Sequence, residues 1–98
     1  MKKITQELLN EISNRIVDVI HPKKIILFGS QARGTADNKS DIDLLLELEK
    51  TVGLFTLASI QLNLEEKLGI KVDLVEKESL SKYLKPKVLK EAQKVYER

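Results

Sequence analysis

The chain has 98 residues, of which 42% are hydrophobic and 33% charged, with 17 Lys+Arg against 15 Asp+Glu for a net charge of +2. That is globular composition, too short for two independent cores and too nearly balanced for a nucleic-acid or membrane binder working by bulk electrostatics. The absence of cysteine excludes disulfides, thiolate zinc sites and cysteine nucleophiles. No apolar run approaches a membrane span, and no signal-peptide core follows Met1-Lys2-Lys3, so the expectation is one soluble cytoplasmic domain over 1–98.

Ile4, Leu8, Leu9, Ile12, Ile16, Val19 and Ile20 recur at three- and four-residue steps and predict an amphipathic helix. Thr5 lies near its start, and His21-Pro22 ends it, because a residue before proline is pushed out of the helical region. Lys24-Ile25-Ile26-Leu27-Phe28 then reads as a buried strand. Residues 29 to 40 are small and polar and read as a loop, with room for one helical turn.

From Asp41 to Leu48 the pattern alternates. Ile42, Leu44, Leu46 and Leu48 share one face, and Asp41, Asp43, Leu45 and Glu47 the other. Leu54, Leu57, Ile60, Leu64 and Leu68 predict a second long helix, closed by Gly69. Lys71-Val72-Asp73-Leu74-Val75 is a third strand, and a last helix is predicted from near Pro86, turning Val88, Leu89, Ala92, Val95 and Tyr96 inward. A helix between the second and third strands implies that they run parallel and close together. The predicted class is α/β (α+β): a small mixed sheet flanked by helices, in the order α-β-(short α)-β-α-β-α.

This topology can bring Asp73 beside Asp41 and Asp43, whose backbones are about 7 Å apart on one strand face. Two unit charges ~5 Å apart repel by about 3 kcal/mol at an effective dielectric of 20, so three clustered carboxylates call for a counterion. Magnesium takes oxygen ligands and shares its shell with substrate phosphates. Singly, each aspartate reads as a turn, solvated or lysine-paired residue; yet Asp43 and Asp73 lie inside apolar strands, where aspartate is disfavoured. Gly29-Ser30 directly follows the first strand, where backbone N–H groups and the Ser30 hydroxyl suit a phosphate, and Arg33 is a bidentate phosphate donor in the same loop. Taken alone, these are an ordinary turn and an ordinary surface arginine.

Together, Gly29-Ser30, ten residues, Asp41-Ile42-Asp43 and the distal Asp73 resemble the nucleotidyltransferase superfamily that includes DNA polymerase beta. With Arg33-Gly34 in the loop and Ser40-Asp41-Ile42-Asp43-Leu44 after it, the chain is similar to the minimal nucleotidyltransferase (MNT) family over nearly its whole length. The resemblance implies that Asp41, Asp43 and Asp73 hold two Mg2+ ions and that Asp73 helps deprotonate the attacking hydroxyl. It also implies that Gly29 and Ser30 hold the triphosphate of ATP and that Arg33 takes its outer phosphates. Small MNT proteins resemble antitoxins that transfer AMP to a tyrosine of a HEPN-domain ribonuclease toxin, so a HEPN protein is the expected partner and direct nucleic-acid binding is not expected. Two other readings compete: a module that neutralises its partner by occlusion with little or no catalysis, and a transferase acting on a small molecule such as an aminoglycoside.

The remaining features have plainer readings. His21 is a cap or solvated residue, and Phe55 with the Leu54–Leu68 stripe is core. Residues 77 to 98 carry seven Lys+Arg and three Glu, a local net of +4, read as a solvated basic face with an acidic partner surface as the alternative. No aromatic platform for a base is evident, since aromatics are 4% of the chain.

Overall fold

A computed structural model describes residues 5–29, 41–80, 82 and 85–98. In chain order it contains α1 (Gln6–Ile20), β1 (Lys24–Phe28), β2 (Ile42–Glu47), α2 (Leu54–Leu68) and β3 (Val72–Glu76). A 3-10 turn (Lys77–Ser79), α3 (Lys85–Glu91) and β4 (Gln93–Glu97) complete it. Thr5 caps α1, its Oγ1 accepting from the Leu8 N–H at 3.2 Å. His21 closes the helix in the left-handed region at φ 48°, and Gly69 does the same for α2 at φ 66°.

The four strands form one mixed sheet in the order β3-β2-β1-β4. β1 is antiparallel to both β2 and β4, and β2 is parallel to β3, as its helical crossover requires. One face is covered by α1 and α2. There Leu9, Ile12 and Ile16, with Leu57, Ile60 and Leu64, pack on Ile25, Leu27, Ile42, Leu44, Leu46, Val72 and Leu74. The alternating side chains Lys24, Ile26, Phe28, Asp43, Leu45, Glu47, Asp73 and Val75 fall on the opposite face.

The C-terminal segment differs from expectation. The predicted last helix stops at Glu91, and residues 93–97, including Val95 and Tyr96, form a fourth strand beside β1. Val95 and Tyr96 still face inward, packed against the core, but from a strand. The physical reason is non-local: β1 would otherwise be an open sheet edge, and β-branched and aromatic residues suit its closure. A bulge between the partners of Ile25 and Ile26 adjusts the register of this added strand.

Four residues expected to face inward are instead exposed: Val19 at 58%, Leu54 at 82%, Phe55 at 92% and, on α3, Leu89 at 37%. Val19 lies at the flank of the α1 stripe. Leu54 and Phe55 occupy the first turn of α2, where side chains lean back along the axis and off the sheet. Two contacts tie the crossover in place. The Leu74 N–H donates to Gln61 Oε1 of α2 at 2.7 Å, and the Val52 N–H donates to Glu76 Oε1 at 2.9 Å. Glu76 is buried, so the second bond satisfies a carboxylate that would otherwise be costly to desolvate.

Candidate active site

The alternation of β2 decides which of its side chains enter the core under α1 and α2. Because Ile42, Leu44 and Leu46 must enter that core, Asp43 is forced onto the opposite face, where Ile26 and Leu45 are buried and Asp43 is half-buried. The same logic acts on β3, where Val72 and Leu74 are buried and Asp73 between them is exposed. The parallel register then pairs Asp43 directly with Asp73. Neighbouring strands lie about 4.8 Å apart, so two carboxylates stand side by side on one face. Asp43 is half-buried, held between Phe28 of β1 and Asp73 of β3 in the cross-strand row.

Asp41 immediately precedes β2. The Ile42 N–H donates to the Lys71 carbonyl at 3.0 Å, which aligns the starts of β2 and β3, and Lys71 Nζ lies 3.9 Å from Asp41 Oδ2. This ion pair is exposed, worth at most about 1 kcal/mol, and is readily exchanged for another cation. Among the described residues no three acidic or imidazole side chains close into a metal shell. The triplet therefore stands as two in-register neighbours, Asp43 and Asp73, with Asp41 drawn toward Lys71. As a donor set it offers oxygen alone, which fits a hard divalent cation completed by phosphate oxygens better than a softer metal.

Gly29 is required here for two reasons. Its φ of 74° lies in the left-handed region, and a Cβ would collide with the Asp43 carboxylate, lying 3.3 Å from Cγ. The backbone leaving β1 thus runs directly against the central carboxylate. Ser30 and Arg33, the other expected phosphate ligands, lie outside the described residues.

Three rows cross this face. Phe28, Asp43 and Asp73 form the first, and Lys94, Ile26, Leu45 and Val75 the second. The third is an alternating ion ladder at the far end. Glu97 lies 3.4 Å from Lys24, Lys24 lies 4.0 Å from Glu47, and Lys77 lies 3.6 Å from Glu47. Lys94 bonds Glu97 at 2.9 Å, and this bond, with the second lysine, Lys24, holds the Glu97 carboxyl below the usual carboxylate range. Glu47 is thus balanced locally by two lysines and takes no part in the acidic pair. Sequence reasoning did not find this ladder; the charge alternation on the exposed positions of β1 and β2 was its only trace. A cleft of about 450 Å³ lined by Val19, Ile20, Leu48, Val52, Thr56 and Arg98 lies at the strand ends away from Asp43. It includes none of the aspartates.

Comparison with known proteins gives the family. Residues 5–95 match the family described as "Nucleotidyltransferase domain". The chain is 39% identical over 69 residues to the protein adenylyltransferase MntA of Thermococcus cleftensis, covering 70% of each. Among solved structures it resembles a chain from a toxin-antitoxin crystallised with AMP-PNP, at 30% identity and a TM-score of 0.82, over 92% of this chain and 73% of that one. It also resembles a chain of the tri-AMPylated Shewanella oneidensis HEPN toxin in complex with MNT antitoxin, at 25% identity and a TM-score of 0.78, over 96% and 74% of the two chains. A match across nearly the whole sequence, on a sheet that sets two carboxylates in register against a glycine turn, makes this chain a member of the nucleotidyltransferase domain family, an enzyme of its minimal (MNT) branch.

Proposed function

We propose that residues 1–98 act as one minimal nucleotidyltransferase domain that transfers AMP from ATP to a hydroxyl, specifically a tyrosine, of a HEPN-domain partner protein and so neutralises it. The observation that carries this reading is the in-register pair Asp43 and Asp73 on the sheet face opposite α1 and α2, with the Gly29 backbone pressed against Asp43. The name of the Thermococcus relative and the AMPylated toxin in the Shewanella complex supply the acceptor class.

Asp41, Asp43 and Asp73 are the residues that would hold magnesium, whose chemistry when bound is to acidify an attacking hydroxyl and neutralise a departing pyrophosphate. In the reaction the acceptor oxygen forms a bond to the α-phosphorus of ATP, the bond from that phosphorus to the bridging oxygen breaks, and pyrophosphate leaves. The hydroxyl proton passes to the Asp73 carboxylate, the exposed member of the pair. Gly29 and Ser30 offer backbone and hydroxyl donors to the triphosphate, and Arg33 binds its outer phosphates. Lys71 offers Asp41 an alternative cation when the nucleotide is absent.

Incubation with the partner that co-purifies with the chain, ATP and magnesium should leave one or more AMP-sized mass increments on a partner tyrosine. An unmodified partner, or modification undiminished in Asp43→Asn, would overturn the reading. If Asp43→Asn still protects against the partner as well as the wild type does, neutralisation works by occlusion.

A further inference from the structure

The connection from β3 to β4 travels from one edge of the sheet to the other. It leaves over the face that carries Asp43, because Lys77 at its start pairs with Glu47 on that face. α3 within it lies against β1. The opposite face is filled by α1 and α2, and neither Val88 nor Leu89 of α3 joins the cluster packed there. β4 then begins opposite Leu27, so the C-terminal end of α3 arrives beside the end of β1 that neighbours Asp43.

The outer side of this helix is basic. Lys87 and Lys90 are exposed and three positions apart, hence on one helical face, and Lys85 stands half-buried at the start of the same helix. None of the three makes an ion pair among the described residues. By contrast, Lys24 and Lys77 of the far row and Lys94 of the middle row are all engaged by glutamates. Other lysines without an ion pair among the described residues, Lys23, Lys50 and Lys67, stand singly on separate elements, whereas three fall within six residues of this one helix, on the aspartate side of the sheet.

We propose that this side of α3, through Lys87 and Lys90, docks an acidic segment of the acceptor protein and so delivers its hydroxyl to the aspartate face. The proposal rests on the reading that the acceptor is a protein. Complementary charge of this kind raises encounter rates and fixes orientation. It also supplies the acceptor recognition that the aspartate face, with its two like charges, would oppose. Nucleic acid fits the surface less well, because the chain as a whole carries a net charge of only +2.

The test uses the full chain with three fluorescent probes: a short tyrosine peptide flanked by glutamates, the same peptide with glutamines, and a short single-stranded RNA. The wild type should bind the glutamate peptide at least about tenfold more tightly than the glutamine peptide, and the preference should fade with added salt. Lys87→Glu/Lys90→Glu should lose that preference, and Lys87→Gln/Lys90→Gln should lose part of it. The thermal shift produced by ATP with magnesium should be unchanged in both, showing a folded chain with its nucleotide site intact. Equal binding of the two peptides, binding of RNA in place of the glutamate peptide, or a preference that survives charge reversal would each overturn the proposal. If the glutamate peptide binds through the lysines but is not adenylylated, the docking surface stands and the assignment of a protein hydroxyl as acceptor fails.

Discussion

Asp43 and Leu44 are consecutive residues of one strand, yet they belong to regions with opposite rules. Leu44 is fully buried under α1 and α2, where volume and shape decide. Asp43 faces the other way, where charge decides, and its surroundings are a glycine turn, a second aspartate and a basic helix beyond. The comparison teaches that the helix face builds the site without touching it. Packing of Ile42, Leu44 and Leu46 fixes the register of β2, and register alone sets Asp43 opposite Asp73.

The sharpest way to separate the two faces is to remove one charge and nothing else. Asp43→Asn should lower AMP transfer by about 10²–10⁴-fold, since metal-assisted charge stabilisation supplies several kcal/mol of the barrier reduction. Its melting temperature should change little, which calorimetry would check. Leu44→Ala, one residue on, should do the reverse: a loss of about 2–5 kcal/mol in stability by denaturant titration, with transfer per folded molecule largely kept.

Gly29→Ala tests the border between the regions. Strain at positive φ costs about 1–3 kcal/mol, and displacement of the Asp43 carboxylate should lower transfer as well. A variant with unchanged transfer would show that the turn and the carboxylate are not coupled. Glu76→Ala leaves the Val52 N–H without its acceptor and should destabilise by about 1–3 kcal/mol, with transfer unaffected below the melting transition.

The smallest effect belongs to the far end of the charged face. The Glu97 carboxyl is held low first by Lys94 and then by Lys24, so its contribution is present above the unfolded carboxylate pKa and lost as pH falls through its folded value. Lys94→Ala should therefore lower the melting temperature slightly at neutral pH. The gap to wild type should close on acidification and, because the pair is exposed, also in high salt. A gap that persists in acid would assign the effect to β4 packing instead.

Much of this arrangement is legible in the residues themselves. The long stripes of α1 and α2 and the period-two run through 42–47 each repeat a pattern often enough to identify the element, and aspartates placed within apolar strands mark the candidate site. The last twenty residues are less legible. Val88, Leu89, Ala92, Val95 and Tyr96 satisfy a helical spacing, but the helix ends at Glu91 because the open edge of β1 recruits residues 93–97 as a strand. No window around Val95 contains that information. The same holds for Leu54 and Phe55, apolar by type but placed at a helix start that reaches past the sheet.

Local pattern thus determined the central strands, the two long helices, the face each strand residue would take and the acidic triplet, because burial forces alternation wherever one side of a strand is packed. Only the tertiary structure decided that Asp73 stands opposite Asp43 while Asp41 turns toward Lys71, that Gly29 abuts the central carboxylate, and that a fourth strand closes the sheet. Those are contacts between segments distant in the chain, and they depend on which edges and faces remain open once the core has formed.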